Sequence, residues 1–362
     1  MKPRVLFVSR TRYRLPLAPQ LARKWDALAA ELDVRVLATG DAGDERFHLV
    51  PARSPAFYVS LPVHVARELR SFRPAVVVAQ SPYEAGAALV GRALARVPAR
   101  VLLEVHGDWR TATRLYGSRA RRLMEPLAGP AARLAVRGAD AVRTVSPFTS
   151  SLVRELGVVP AATFTTYYDA SAFTAAPPAP LPDRPRALFV GVLERYKNVH
   201  GLADAWRRVA AALPEAQLHV VGRGRERAVV ERLRRDLPGR VEWDELLPSD
   251  RVAAAFDAAT VFVLPSFSEG LPRVAMESFA RGRGVVGARA GGIPDIVEDG
   301  VTGLLVPPGD ASALADALVR VLSDPELARC LGSAARADAG RWLQTPEQFA
   351  GRMRELVEAV AG

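Results

Sequence analysis

Short apolar runs rich in β-branched residues alternate with helical patterns from one end of the chain to the other, and the alternation is interrupted once. In the first half, strands are expected at 5–8, 34–37, 47–50, 75–79, 101–105, 141–145 and 163–166. Helical patterns lie between them near 16–31, 61–72, 84–96, 115–137 and 147–155. Such a chain folds as parallel sheets covered by helices. Residues 174–186 (TAAPPAPLPDRPR) then carry five prolines in thirteen positions, which excludes helix and central strand and reads as a semi-rigid linker. The alternation restarts with strands at 187–190, 217–221, 261–264, 284–286 and 303–306, and ends in helical segments at 311–322, 325–340 and 346–360. A length of 362 residues also calls for about two domains. The expected division is 1–173, a linker at 174–186, a second domain at 187–340, and a last helix in 341–362 that returns toward the first domain. There is no short-period repeat. The fold class is α/β, with two Rossmann-like, doubly wound domains. Their ligand belongs in the central cleft they face, outside the carboxyl ends of the strands.

Hydrophobic residues at 49% and charged residues at 24% exclude a disordered chain. No apolar run reaches the roughly twenty residues of a membrane span, and the first strand begins too early for a secretory leader, so a cytoplasmic location is expected. The single cysteine, Cys330, sits in an apolar helical pattern and reads as core filler. The net charge of +10 is unevenly spread. Residues 1–175 hold 25 Lys and Arg against 14 Asp and Glu, and residues 176–362 hold 24 against 25. A basic half beside a neutral half suits an anionic membrane surface at the inner face of the cell membrane, or a phosphate-bearing acceptor. Nucleic acid is not expected. Compositional drift is the competing account, because all basic residues except Lys2, Lys24 and Lys197 are arginine. The arginines of 115–137, Arg119, Arg121, Arg122, Arg133 and Arg137, allow either a membrane-facing helix or a solvated face.

The stretch 265–282, PSFSEGLPRVAMESFARG, follows the expected strand 261–264. Glu269 precedes a Gly-Leu-Pro turn that opens a helix, where backbone N–H groups point outward and hydroxyls or anions bind. Glu277, expected two turns inside that helix, can accept hydrogen bonds from a second polyol such as a ribose. Read alone, the two glutamates could equally be a helix cap and a solvated side chain.

This run, followed by AGGIPDIVEDGVTGLLVPPGD at 290–310, resembles the retaining family-4 glycosyltransferases of GT-B fold, the group-1 glycosyl transferases. VLFVSR at 5, EVHGDW at 104, YYDASAF at 167, FVGVLERYKN at 189 and LHVVGRG at 218 stand in the same order, so the resemblance spans nearly the whole chain. It implies transfer of a sugar from a nucleotide-sugar donor, UDP- or GDP-linked, to a hydroxyl acceptor with retention and without a metal or other cofactor. The acceptor class it allows is a glycan, a lipid-linked sugar or a small molecule, in envelope glycan, glycolipid or polysaccharide synthesis. It implies that Glu269 contacts donor-sugar hydroxyls, with backbone N–H groups from Gly270 and Leu271 before Pro272, and that Glu277 binds the ribose. Lys197 would bind the diphosphate, where a fixed cation stabilises charge that grows as the glycosidic bond breaks. His106 would face the sugar and acceptor, and Asp108 would help position the acceptor.

Two departures matter. Val192 stands where the family places an arginine, leaving Arg195, or Arg12 or Arg14, as the substitute. The first loop, 9–16 (SRTRYRLP), carries arginines in place of a Gly-Gly pair and suits an anionic acceptor. Gly222 and Gly224 lack the third glycine of a dinucleotide fingerprint; in the family they let the chain pass the nucleotide, with Leu246 near the base. Gly291 and Gly292 resemble an acceptor-side loop, or are turns needing positive φ. No histidine or cysteine is spaced to share a metal with His106. An epimerase and a non-catalytic sugar- or nucleotide-binding protein of the same fold are the alternatives.

Overall fold

The computed structural model describes residues 2–51, 56–110 and 119–362, with the side chains of 56 and 119–127 outside that set. Among the described residues the chain forms two compact units: one made of residues up to 110, 119–168 and Gln344–Gly362, the other of Asp169–Leu343.

The first unit holds a seven-stranded sheet: β1 (Arg4–Arg12), β2 (Asp33–Thr39), β3 (Phe47–Val50), β4 (Val76–Ala79), β5 (Arg100–Val105), β6 (Ala141–Thr144) and β7 (Ala162–Thr163). All neighbours are parallel, in the order β3-β2-β1-β4-β5-β6-β7. The period of two divides each strand between two cores. Leu6, Val8, Val77 and Leu103 enter one, while Val5, Phe7, Val76 and Leu102 enter the other. The second core is completed by the last helix, Pro346–Ala361, whose Phe349, Met353 and Val357 join Trp25 and Leu28. That helix starts at a capping box in which Thr345 and Gln348 exchange side-chain and backbone bonds.

The second unit repeats the plan with β8 (Arg186–Val190), β9 (Gln217–Val221), β10 (Val241–Asp244), β11 (Val261–Leu264), β12 (Val285–Ala288) and β13 (Gly303–Val306), all parallel, in the order β10-β9-β8-β11-β12-β13. Its central helix, Val199–Ala212, buries Leu202, Ala203, Trp206, Val209 and Ala210 at helical spacing against β8 and β9. Full burial of one such large side chain contributes about 1.5–3 kcal/mol. In both sheets the order reverses between the first and fourth strands, the place where doubly wound proteins bind ligands.

Several expectations need correction. β10 was not expected, because Val-Glu-Trp-Asp is an edge strand with a polar face and offers no apolar run. β1 runs on to Arg12, so Ser9–Arg12 extend the sheet, with a register irregularity after Val8, and do not open a loop. β7 has two residues. Cys330 is exposed: the helix Pro325–Asp338 buries Ala328, Leu331, Gly332 and Ala335, and position 330 falls off that stripe. In the proline-rich segment, two buried arginines hold the backbone to the second unit. Arg281 donates to the carbonyls of Phe173, Ala176 and Pro177 and pairs with Asp257, and Arg283 donates to those of Ala179 and Pro180.

Candidate active site

At the reversal of the second sheet, the loop after β8 carries a 3-10 turn, Arg195–Lys197, and Asn198 caps the following helix by accepting from Gly201 N at 3.1 Å. The loop after β11 is tied to that turn by a backbone bond from Phe267 N to Tyr196 O of 2.7 Å. The consequence is an ion pair between side chains 72 positions apart: Lys197 Nζ lies 2.6 Å from Glu269 Oε1. Both are well buried, with side-chain exposures of 8% and 13%. Gly191, just after β8, lies beside the lysine: a Cβ there would meet Lys197 Cε at 3.4 Å, an ordinary van der Waals contact.

Pro272 precedes the helix Arg273–Ala280, which no side chain caps. Glu277 is its fifth residue, a little over one turn in and not two as expected. It is 5% exposed and bonded at 3.0 Å to the Nε of the more exposed Arg273. Burial pushes its carboxyl up to about 7 against the pull of Arg273.

The four glycines have packing reasons. A Cβ on Gly222 would stand 1.8 Å from Gly191 O, and one on Gly224 would stand 2.3 Å from Leu193 O, so both press against the loop that leads to Lys197. Gly292 N donates to Glu269 O at 2.9 Å, and Cβ atoms on Gly291 and Gly292 would meet the carbonyls of Glu269 and Gly270 at 2.3 and 2.1 Å. The Gly-Gly-Ile-Pro turn therefore backs the Glu269 loop. Arg195 is exposed, Val192 is 46% exposed and Leu246, beyond β10, is 71% exposed.

In the first unit, His106 follows β5 and is partly exposed, with Nε2 3.3 Å from Glu104 Oε2 and Nδ1 3.3 Å from Thr166 Oγ1. Asp108 accepts from the backbone N, Nε and Nη2 of Arg110, which also reaches Glu155. Arg12 is bound to both oxygens of Asp41, and Arg14 is exposed. The side chains of Arg119, Arg121 and Arg122 lie outside the described residues. One further cluster, His219, Glu242 and Asp244, brings possible metal ligands within 4.8 Å of one another. His219 is already bonded to Asp244 at 2.9 Å and Arg186 to Glu242 at 3.1 Å.

Two family models divide the chain between them. Residues 17–169 match the glycosyl transferase 4-like domain and residues 184–324 match the glycosyl transferases group 1. The chain belongs to the family-4 glycosyltransferases of GT-B fold. The chain is 34% identical over 164 residues to the sulfoquinovosyl transferase of Arabidopsis thaliana, covering 44% of this chain and 31% of that one. It is 32% identical over 181 residues to the alpha-D-kanosaminyltransferase of Streptomyces kanamyceticus, covering 49% and 47%. The matched segments thus span less than half the length of these relatives. Among solved structures, sucrose-phosphate synthase from Thermosynechococcus elongatus superposes with a TM-score of 0.78 at 23% identity, covering 99% of both chains. Anabaena HepE in complex with UDP and glucose gives 0.72 at 18% identity, covering 99% of this chain and 100% of that one. Both likenesses bear on the fold.

Within the chain, Lys197, Glu269, Gly270, Gly291 and Gly292 are brought together, and His106, Asp108, Arg12 and Arg14 belong to the other unit. Sequence reasoning passed over Glu104 and Arg143, which face each other across β5 and β6. Two opposite charges inside otherwise apolar strands were the available signal. It also passed over Glu84, buried at the start of the helix Pro82–Ala95, where burial raises its carboxyl and Ser81 and Tyr58 bond to it.

Proposed function

We propose that this transferase moves a sugar from a UDP- or GDP-linked donor to a hydroxyl acceptor with retention of anomeric configuration. The observation that carries the reading is the buried pair of Lys197 and Glu269 at the strand-order reversal of the second sheet. A cation fixed there meets the charge that develops on a departing diphosphate, and a carboxylate beside it accepts hydrogen bonds from sugar hydroxyls. When the donor enters, its diphosphate competes with Glu269 for Lys197 and frees the carboxylate for the sugar. Glu277 takes the ribose hydroxyls, exposed Leu246 lies toward the base, and Arg195 supplies the second diphosphate cation in place of the absent arginine at 192. His106 faces the sugar. Since no role here requires a carboxylate to attack the anomeric carbon, a same-face substitution is favoured, with the leaving phosphate oxygen taking the acceptor proton and no metal taking part.

The acceptor falls to the first unit, whose surplus of arginine suits a phosphate-bearing or lipid-linked molecule, with Arg14 and Asp108 as contacts. Association with an anionic membrane surface belongs to the same proposal. No helix among the described residues is long and apolar enough to cross a membrane. The test is a thermal-shift panel of nucleoside diphosphates and their sugars, since ligand at a hundred times its Kd stabilises by about 2.7 kcal/mol. Turnover of the donor that binds, with the product anomer read by NMR, follows. An inverted product, or no stabilisation by any nucleotide sugar, refutes the proposal. Stabilisation without turnover on any acceptor favours the non-catalytic alternative, which exposed Val192 supports.

A further inference from the structure

Glu104 and Arg143 stand directly opposite each other on β5 and β6, 3% and 0% exposed, and Arg143 Nη1 donates to Glu104 Oε1 at 2.5 Å. Removing both charges from water is costly, and such a pair contributes little net stability compared with apolar residues of the same size. Here the cost is compounded, because Arg143 Nε is buried without a partner. The pair has a geometric consequence. Arg143 Nη2 donates to the carbonyls of Phe164 and Thr165 at 3.0 and 3.1 Å and to Thr166 Oγ1 at 3.4 Å, fixing the segment after β7. His106 sits between the two groups that Arg143 holds, with Glu104 at one ring nitrogen and Thr166 at the other.

The donors and acceptors around this ring fix the proton on its Glu104 side. An ionised carboxylate only accepts, so His106 Nε2 must carry the proton shared with Glu104. Arg143 only donates, so it occupies one lone pair of Thr166 Oγ1, and that hydroxyl meets Nδ1 with its own proton or its second lone pair. Although burial by itself raises the Glu104 carboxyl, Arg143 and His106 outweigh it and bring it down to about 2, so Glu104 is ionised throughout the physiological range.

We infer that Glu104, Arg143 and Thr166 are positioning residues for His106, closing a hydrogen-bonded ring that holds its imidazole in one orientation, with Nε2 donating to Glu104. The inference rests on the reading of His106 as a site residue. Its chemical consequence is that both ring nitrogens are already engaged, by Glu104 and by Thr166. His106 orients the sugar by contact, and the acceptor proton leaves by another route, as the same-face substitution requires.

The test uses the full chain with ¹⁵N-labelled histidine. Long-range ¹H–¹⁵N spectra distinguish a protonated from a bare ring nitrogen, and a His106→Gln sample assigns the His106 signals among those of five histidines. Wild type should show Nε2 protonated. Thr166→Val keeps the side-chain shape, removes the hydroxyl and should shift the Nδ1 signal. Turnover should fall about tenfold or more with donor KM unchanged, and Thr166→Ser should restore both readouts. Glu104→Gln serves as a second probe from the other side of the ring. A wild-type spectrum with Nε2 bare, or a folded Thr166→Val whose His106 signals do not move, overturns the ring. A spectrum that moves while turnover does not overturns the positioning role and His106's part in the reaction, while the hydrogen-bonded ring itself stands. If no donor is turned over at all, the proposed function fails, and the spectra still decide the ring.

Discussion

At the carboxyl edge of the second sheet, Lys197 and Glu269 meet each other across the strand-order reversal as a buried cation and anion. At the same edge of the first sheet, three charged side chains among the described residues are paired with opposite charges. Glu104 is bound by Arg143, Asp108 by Arg110, and Arg12 by Asp41. Both sheets have the same order of their first six strands, so topology decides where a ligand can sit in each. The side chains placed there decide whether the site offers exchangeable charge or a rigid surface.

The comparison is most exposed to the buried arginines. Arg143→Met leaves Glu104 ionised and unpaired in a position that is 4% exposed, and should cost about 3–5 kcal/mol in chemical denaturation. Arg281→Met, whose partner Asp257 is 26% exposed, should cost less. Equal losses would mean that the first unit's charges are no more committed than those of the second. Next come the two exchangeable charges. Lys197→Met should lower turnover by about 10²–10³, the usual loss for one fixed donor aimed at developing charge, and should also lower the melting temperature, because it leaves the Glu269 carboxylate unpaired at 13% exposure. His106→Ala should cost less, and the opposite ranking would move the principal electrostatic contribution to the first unit.

Glu277 provides a stability test of the second unit with a defined sign. Its folded pKa of about 7 lies above the ordinary 4.5, so between these values the folded protein keeps a proton that the unfolded chain gives up. Stability should therefore fall by about 3 kcal/mol as pH rises through that window, and be level above it. Glu277→Gln should flatten the curve and weaken nucleoside diphosphate binding; an unchanged calorimetric Kd would take Glu277 out of the nucleotide site. The smallest effect concerns the first unit's surface. If its surplus of arginine faces anionic lipid, sedimentation with acidic vesicles should weaken as salt rises, because charges separated by more than about 8 Å are screened at 0.15 M. Arg14→Glu should reduce binding by a further two units of charge, each contributing about 1 kcal/mol near the surface. Wild-type protein left in the supernatant at low salt decides for compositional drift.

Much of this molecule was legible before its structure. Runs such as Val76–Ala79 and Val261–Leu264 are buried on both faces, so their sequences are continuously apolar, and the strands were placed to within a few residues. β10 escaped because an edge strand with one polar face carries no such run. Cys330 was misplaced because a one-residue change of phase on a helix turns a core position into a surface one. Glu277 was placed too deep because Gly270–Pro272 delay the helix to Arg273.

By itself the sequence determined what depends on near neighbours: the alternation that makes two parallel sheets, the proline-rich interruption, and the Glu-containing turn that opens the helix Arg273–Ala280. The tertiary structure alone decided which distant groups meet. Lys197 and Glu269 are 72 residues apart, Glu104 and Arg143 are 39 apart, and Gln344 reaches back 179 residues to donate to Thr165. The reason is physical. Local periodicity records which face of a strand is buried, whereas the partner across that face is set by strand order and register, which depend on how whole crossovers pack.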